Sequence, residues 1–275
     1  MRCLITGAGG MLGTDLTARL PGATALTRYD LDLCDPDAVE AALAKHRPDL
    51  VVNCAAWTLV DDAETHEAEA LAVNGTAVRQ LADACRPLAA RLIHVSTDYV
   101  FPGDATEPYS EDAPVGPVNA NGRTKLAGER AVLGYEHGYV LRTAWLYGAH
   151  GPNFVKTIIR LEAERDTLDV VDDQRGQPTW TGDLADQVVL LAGSDLAPGA
   201  YHATNCGETT WYGLAREVFT LLGADRSRVR PTTSEAFPRP ARRPAYSVLA
   251  NTRGLPEMRH WREALRAAWP QLSSA

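Results

Sequence analysis

No stretch of this sequence approaches the ~20 consecutive apolar residues that a membrane-crossing helix requires. Basic runs are missing as well. The 35 acidic residues outnumber 27 basic ones, for a formal net charge of −8, which argues against nucleic acid or an anionic membrane as partner. Lysine is scarce: Lys45, Lys125 and Lys156 stand against an arginine default of the kind GC-rich bacterial coding produces. The five cysteines show no CxxC spacing, which speaks against a disulfide frame or a cysteine metal site and fits small buried side chains in a reducing compartment. The seven histidines never fall at HxH or HxxxH spacing, so no metal is expected. The opening "MRCLITGAGG" is already a strand entering a glycine turn, so no leader is expected and the expected location is the cytoplasm.

What is present is an alternation of short apolar runs with helical patterns: "RCLIT" then "MLGTDLTARL", "DLVVN" then "EAEALAVNGTAVRQLADAC", "RLIHVS" then "NGRTKLAGERAV", and "GYVLRT". Such alternation is the βαβ signature of a parallel sheet covered on both faces, so the expected class is α/β, a doubly wound Rossmann sheet. "ATALT" at 23–27 reads as the second strand, and Pro36 suits a first helical position. After residue 147 the pattern loosens. Residues 1–147, with parts of 168–200, are assigned to the dinucleotide-binding domain, and 148–167 with 200–275 to a smaller substrate-binding lobe. The run "FPRPARRPAYSVL" reads either as a loop wrapping the cleft or as plain surface loop.

"TGAGGMLG" carries Gly7, Gly10 and Gly13 around Met11 and Leu12, at the first βα junction. Gly7 suits a tight turn, Gly10 lets backbone approach a pyrophosphate, and Gly13 permits close helix–strand packing, with the diphosphate on the positive end of the first helix. At the end of the second strand stand Thr27 and Arg28, with Asp30 two residues further on. An arginine there suits a 2′-phosphate, so NADPH is favoured, with NADH the alternative; a merely solvated loop charge is the blander reading.

In order and spacing, "TGAGGMLG", "VVNCAAWTLVDDAE", "AVNGTA", "IHVSTDYVFPGD", "PVNANGRTKLAGE", "LRTAWLYGAHGPNFVKTIIRL", "VVDDQRGQPTWTGDLA" and "RRPAYSVLANT" resemble the dTDP-4-dehydrorhamnose reductases, which are extended short-chain dehydrogenases. The resemblance implies reduction of the C4 ketone of a dTDP-linked 4-keto-6-deoxyhexose in deoxysugar or antibiotic biosynthesis. It places Gly7, Gly10, Gly13, Asp32, Leu33, Ala55 and Ala56 at the cofactor. Thr97 falls where the family bonds the substrate carbonyl, and Lys125 where it holds the nicotinamide ribose. Trp145 falls beside the sugar ring, and Asp98 and Asn153 lie in blocks on the substrate side. Arg243 is the candidate for the substrate diphosphate, since a guanidinium grips phosphate in two-pronged fashion. Local structural roles compete at each of these: a strand-end hydroxyl for Thr97, a core indole for Trp145, an exposed loop arginine for Arg243. Some members form dimers around Mg²⁺, so a homodimer is among the assemblies allowed; Asp15 lies near one such metal position, and no metal is predicted.

One position departs from the family. Four residues before Lys125, where the family has its proton-donating tyrosine, stands Asn121. An amide donates a hydrogen bond to a developing oxyanion but supplies no proton at neutral pH, and losing a positioned general acid costs roughly 10²–10⁴ in rate. A substitution made to trap a complex, a proton drawn from Tyr99, Asp98 or a water held by Lys125, and a regulatory NADP- or sugar-nucleotide-binding protein of the same fold all remain open. Tyr99 is the first candidate side chain. A dehydratase would need an acid where Tyr99 stands, and an epimerase would need the tyrosine even more. Asp61, Asp62 and Glu64 read as a solvated helix start.

Overall fold

The structure, a computed structural model, describes residues 1–273. β1 (Cys3–Thr6) passes through the glycine turn into α1 (Met11–Arg19), and β2 (Thr24–Leu26) precedes α2 (Pro36–His46). Asp35 caps α2, its carboxylate accepting the Asp37 and Ala38 amides, with Pro36 at the first position as expected. β3 (Leu50–Asn53), α3 (Glu67–Leu71), α4 (Ala77–Cys85), β4 (Arg91–Thr97), α5 (Ala120–Leu133) and β5 (Gly138–Thr143) follow. The segment read as one helix from 67 to 85 is interrupted by a π turn at Ala72–Thr76. Its Asn74 side chain is turned out of the helix onto the backbone of Trp57, and such π turns collect at functional sites.

β6 (Leu146–Tyr147), α6 (Phe154–Glu164), β7 (Leu168–Val171), β8 (Arg175–Gly176) and β9 (Thr179–Trp180) lead to α7 (Thr181–Gly193) and β10 (Gly199–His202). Among the described residues the main sheet runs β10-β5-β4-β3-β1-β2, parallel throughout. Strand order reverses between β1 and β3, and the crevice beyond their carboxyl ends is where open parallel sheets place ligands. Strand alternation splits the core. Ile5, Val52, Ile93 and Leu141 pack against α1 and α7, whereas Leu4, Val51, Leu92 and Val140 pack against α2, α4 and α5. A polar tie crosses this core: Glu129 of α5, fully buried, accepts from Arg142 of β5 at 3.0 and 2.8 Å.

β11 (Asn205–Cys206), β12 (Thr209–Thr210), α8 (Trp211–Leu222), β13 (Val229–Thr232), β14 (Met258–His260) and α9 (Trp261–Leu272) close the chain. β7 pairs with β13, and the two join α6, α8 and α9 around a separate apolar centre built on Val155, Leu168, Phe219 and Trp261. Thus 168–171 packs with the C-terminal elements, while α7 and β10 return to the main sheet. No helix among the described residues is long and apolar enough to cross a membrane.

The segment 237–249 is strapped down rather than loose. Asn119 donates to the Arg242 carbonyl at 2.9 Å, Tyr246 N–H donates to the Gly103 carbonyl at 3.0 Å, and the Ala241 amide donates to Asp61 at 3.2 Å. Gly103 allows the approach: with φ +82°, a Cβ there would stand 2.1 Å from Pro244. Asp61 also pairs with Arg243 at 3.1 Å, and Glu64 accepts the Ala120 amide at 2.7 Å. Of the acidic cluster expected to be a solvated helix start, Asp61 and Glu64 instead anchor two neighbouring segments, whereas Asp62 does open a short helix, partly exposed and paired with His66 at 3.1 Å.

Candidate active site

The glycine turn has the geometry its spacing predicts. Gly7 sits at φ +68°, and a Cβ on it would lie 2.5 Å from the Ala55 amide nitrogen. Only glycine fits both the left-handed backbone and that approach. Gly13 faces the Gly7 carbonyl, where a Cβ would come within 2.2 Å, so α1 rides directly on the turn. Gly10 is the extended N-cap of α1, and no side chain caps that end, leaving the first-turn amides of Met11, Leu12 and Gly13 directed outward for an anion. Ala55 and Ala56 lie in the loop leaving β3, with Ala55 against this turn. At the end of β2, Asp30 is committed to Thr27, accepting from its amide at 2.9 Å and its hydroxyl at 2.7 Å. Arg28 beside it is exposed and unpaired among the described residues. Leu33 is buried in the core, and Asp32, exposed, accepts the Cys34 amide at 2.9 Å.

Lys125 projects from α5 to β4, where its ammonium donates to the Val95 carbonyl at 2.6 Å and lies 3.3 Å from His94 Nε2. Burial lowers its pKa to about 8, against the opposing pull of Glu129. Behind it runs a buried chain: Thr6 Oγ1 and the Ala55 amide both donate to Asn53 Oδ1, and Asn53 Nδ2 meets His94 Nδ1 at 3.0 Å. The Ala55 donor fixes the Asn53 orientation, so His94 Nδ1 accepts and its Nε2–H faces Lys125. That donor opposite an ammonium works with burial against protonated Lys125.

Asn121, one turn before Lys125 and 6% exposed, donates from Nδ2 to the Trp57 carbonyl at 3.3 Å. Gly122 next to it abuts the Tyr99 carbonyl, where a Cβ would stand only 2.1 Å away, so the start of α5 is pressed onto the turn Asp98–Val100 that ends β4. Thr97 caps that turn, accepting the Tyr99 amide at 3.2 Å, and bonds Asp98 Oδ1 at 2.9 Å. The Tyr99 ring lies under the Arg243 guanidinium, 6.0 Å from ring centre to Cζ. Burial first, then the charges of Asp98 and Asp61, raise the Tyr99 pKa well beyond its ordinary value despite Arg243. Tyr99 therefore holds its proton harder than a free tyrosine.

Trp145, expected beside the sugar, occupies a left-handed backbone, φ +46°, a strained choice for a bulky residue. Trp211 holds it, the two indoles stacked 3.6 Å apart and 8° from parallel, while Gly176 lies against the Trp145 ring with no room for a Cβ. Asn153 caps α6, accepting the Lys156 amide at 3.1 Å and donating to the Gly148 carbonyl at 2.9 Å, so both ends of its amide have partners. Arg243 is engaged by Asp61. Sequence reasoning missed Asn53, His94, Trp57, Asn74 and Trp211. His94 and Asn53 carried a usable signal, being polar residues inside otherwise apolar strands. Trp211 meets Trp145 only through tertiary packing.

Two surface hollows, of about 250 and 310 Å³, are lined by Asp183, Gln187 and Arg259 and by Asp172, Asp173 and Thr233 respectively. Neither is lined by Thr97 or Lys125; the glycine turn after β1, Thr97 at the end of β4 and Lys125 of α5 lie instead at the carboxyl ends of the central strands, which makes that end of the sheet the candidate site.

The family model described as "RmlD substrate binding domain" matches residues 1–274. A dTDP-4-dehydrorhamnose reductase of Streptomyces griseus is 58% identical, over 98% of this chain and 94% of its own. A probable dTDP-4,6-dihydroxy-2-methyloxan-3-one 4-ketoreductase of Streptomyces antibioticus is 56% identical, over 100% of this chain and 97% of its own. The crystal structure of dTDP-4-dehydrorhamnose reductase from Bacillus anthracis in complex with NADP superposes with a TM-score of 0.93 at 35% identity, covering 98% of this chain and 99% of that one. The chain belongs to the dTDP-4-dehydrorhamnose reductase family.

Proposed function

We propose that this protein uses NADPH to reduce the C4 ketone of a dTDP-linked 4-keto-6-deoxyhexose. The observation that carries the reading is Lys125, a buried ammonium pinned to the Val95 carbonyl two residues before Thr97, with the glycine cradle on the adjacent strands. The residues fit the cofactor: the Gly7–Ala55 approach and the uncapped start of α1 form a diphosphate cradle, and Arg28 stands free for a 2′-phosphate while Asp30 is spent on Thr27. When bound, the reduced nicotinamide supplies the hydride. Lys125 holds the nicotinamide ribose, Thr97 bonds the carbonyl oxygen, and the Trp145–Trp211 stack offers a flat apolar wall to the sugar. Arg243, released from Asp61, is placed to meet the substrate diphosphate.

Arg28→Ala should lower NADPH affinity about tenfold and leave NADH affinity unchanged, since only the 2′-phosphate loses its partner. Calorimetric titration of both cofactors checks this, and equal losses would remove the NADPH preference argued here. A second reading, a cofactor- and sugar-nucleotide-binding protein without turnover, draws on Asn121, whose amide is tied to Trp57 rather than free in the crevice. NADPH consumption with a dTDP-4-keto-6-deoxyhexose favours the reductase. Binding of both ligands without consumption favours the second reading.

A further inference from the structure

Asn121 can give no proton at neutral pH, and a buried carboxyl stands nearby at the end of β4. Asp98 is 2% exposed, and its Oδ1 shares a 2.9 Å hydrogen bond with the Thr97 hydroxyl. The Ser247 hydroxyl from the strap lies beside the carboxyl but outside hydrogen-bond geometry, and Oδ2 has no partner among the described residues. No basic side chain forms an ion pair with Asp98 among them. The other titratable group facing it is the Tyr99 phenol, itself beneath Arg243. A carboxyl buried without a cationic partner favours its neutral form, because burial outweighs the neutral donors around it.

A threonine hydroxyl has one hydrogen to give. With Asp98 ionised, that hydrogen is held by the carboxylate. With Asp98 neutral, the acid donates to Thr97 Oγ1 and the hydroxyl hydrogen is free for a carbonyl oxygen. We propose that Asp98 is the proton source of the reduction, acting through the Thr97 hydroxyl; this rests on the reductase reading above. Hydride from the reduced nicotinamide converts the C4 carbonyl to an alkoxide. The alkoxide oxygen takes the Thr97 hydrogen as Thr97 Oγ1 takes the Asp98 proton. The products are the C4 alcohol, an intact threonine and a carboxylate that regains its proton from water. Burial leaves the Asp98 carboxyl at about 6 despite the opposing Ser247 and Thr97 hydroxyls and the Asp98 and Tyr99 amides, so a neutral fraction exists near neutral pH.

The test is the pH profile of kcat for the wild type and Asp98→Asn, with NADPH and a dTDP-4-keto-6-deoxyhexose. The asparagine amide still donates to Thr97 Oγ1 and keeps its orientation, but carries no transferable proton. Wild-type kcat should fall tenfold per pH unit above about 6. Asp98→Asn should lower kcat at pH 6 by roughly 10²-fold or more and lose that limb, with KM for the sugar nucleotide within twofold. A carboxyl carbon NMR signal should titrate near 6 in the ligand-free wild type and be missing from the variant. Wild type active and Asp98→Asn equally active with the same profile would overturn the relay alone. Wild type binding both ligands without turnover would overturn the reductase reading and the relay with it. If Asp98→Asn does not fold, the wild-type profile and carbon titration decide: a limb and a titration near 6 support the relay, and neither between pH 5 and 8 overturns it.

Discussion

At pH 8, Asn121→Tyr should raise turnover on a dTDP-4-keto-6-deoxyhexose tenfold or more, and at pH 6 by much less. Asn121 stands one turn before Lys125, at the place where α5 is pressed onto the end of β4. A phenol there, beside a buried ammonium and the nicotinamide ribose hydroxyl, has its ordinary pKa of ~10 drawn toward neutral and becomes a direct acid for the carbonyl oxygen. The contrast between the two pH values follows from Asp98. Two pH units above a pKa of about 6, only ~1% of that carboxyl is neutral, so the relay through Thr97 is starved and a tyrosine fills the gap. At pH 6 about half is neutral and the tyrosine adds little. The same substitution should restore turnover to Asp98→Asn at pH 8. Steady-state rates for the four proteins check this, and an equal gain at both pH values would separate the tyrosine effect from Asp98.

Glu129→Ala should cost about 3–5 kcal/mol of stability, the usual penalty for stranding a buried charge. Arg142 is 4% exposed and places its guanidinium on Glu129, on the Glu111 carbonyl at 3.1 Å and over the Phe101 ring. Removing the carboxylate leaves a buried cation with only neutral acceptors, the Glu111 carbonyl and His202 Nε2 at 3.4 Å. For a chain of this size the melting temperature should fall on the order of 10 °C. Replacing both partners, Glu129→Leu with Arg142→Met, should recover much of the loss, because a pair of apolar groups strands no charge. Urea unfolding of the three variants measures this. A double variant no more stable than Glu129→Ala would show that the pair contributes more than the avoidance of an unpaired charge.

Much of this was legible from local sequence. The paired apolar positions Leu4 and Ile5, Val51 and Val52, and Leu92 and Ile93 announce strands buried on both faces, and Gly7, Gly10 and Gly13 stand where backbone crowding demands them. What escaped depends on contacts distant in sequence. Trp211 meets Trp145 across 66 positions, the difference of their residue numbers, and nothing in either local pattern signals the stack. Asp61 looked like a dipole-favoured helix start until the strap brought Arg243 beside it. Tyr99 looked like the next proton donor because it lies close to Thr97 in sequence, but burial and two neighbouring carboxylates make it a weaker acid, whereas burial makes Asp98 a better-placed one. Burial of an ionisable group is a property of the folded chain, and sequence distance does not report it.

The most direct measurement of the central claim is label transfer. The wild-type protein is incubated at pH 6 with NADPH carrying deuterium at nicotinamide C4 and with a dTDP-4-keto-6-deoxyhexose, and the sugar is analysed by NMR. The account predicts deuterium on C4 of a new alcohol, formed in step with cofactor oxidation. Saturable binding of both ligands with no deuterium on the sugar would contradict it.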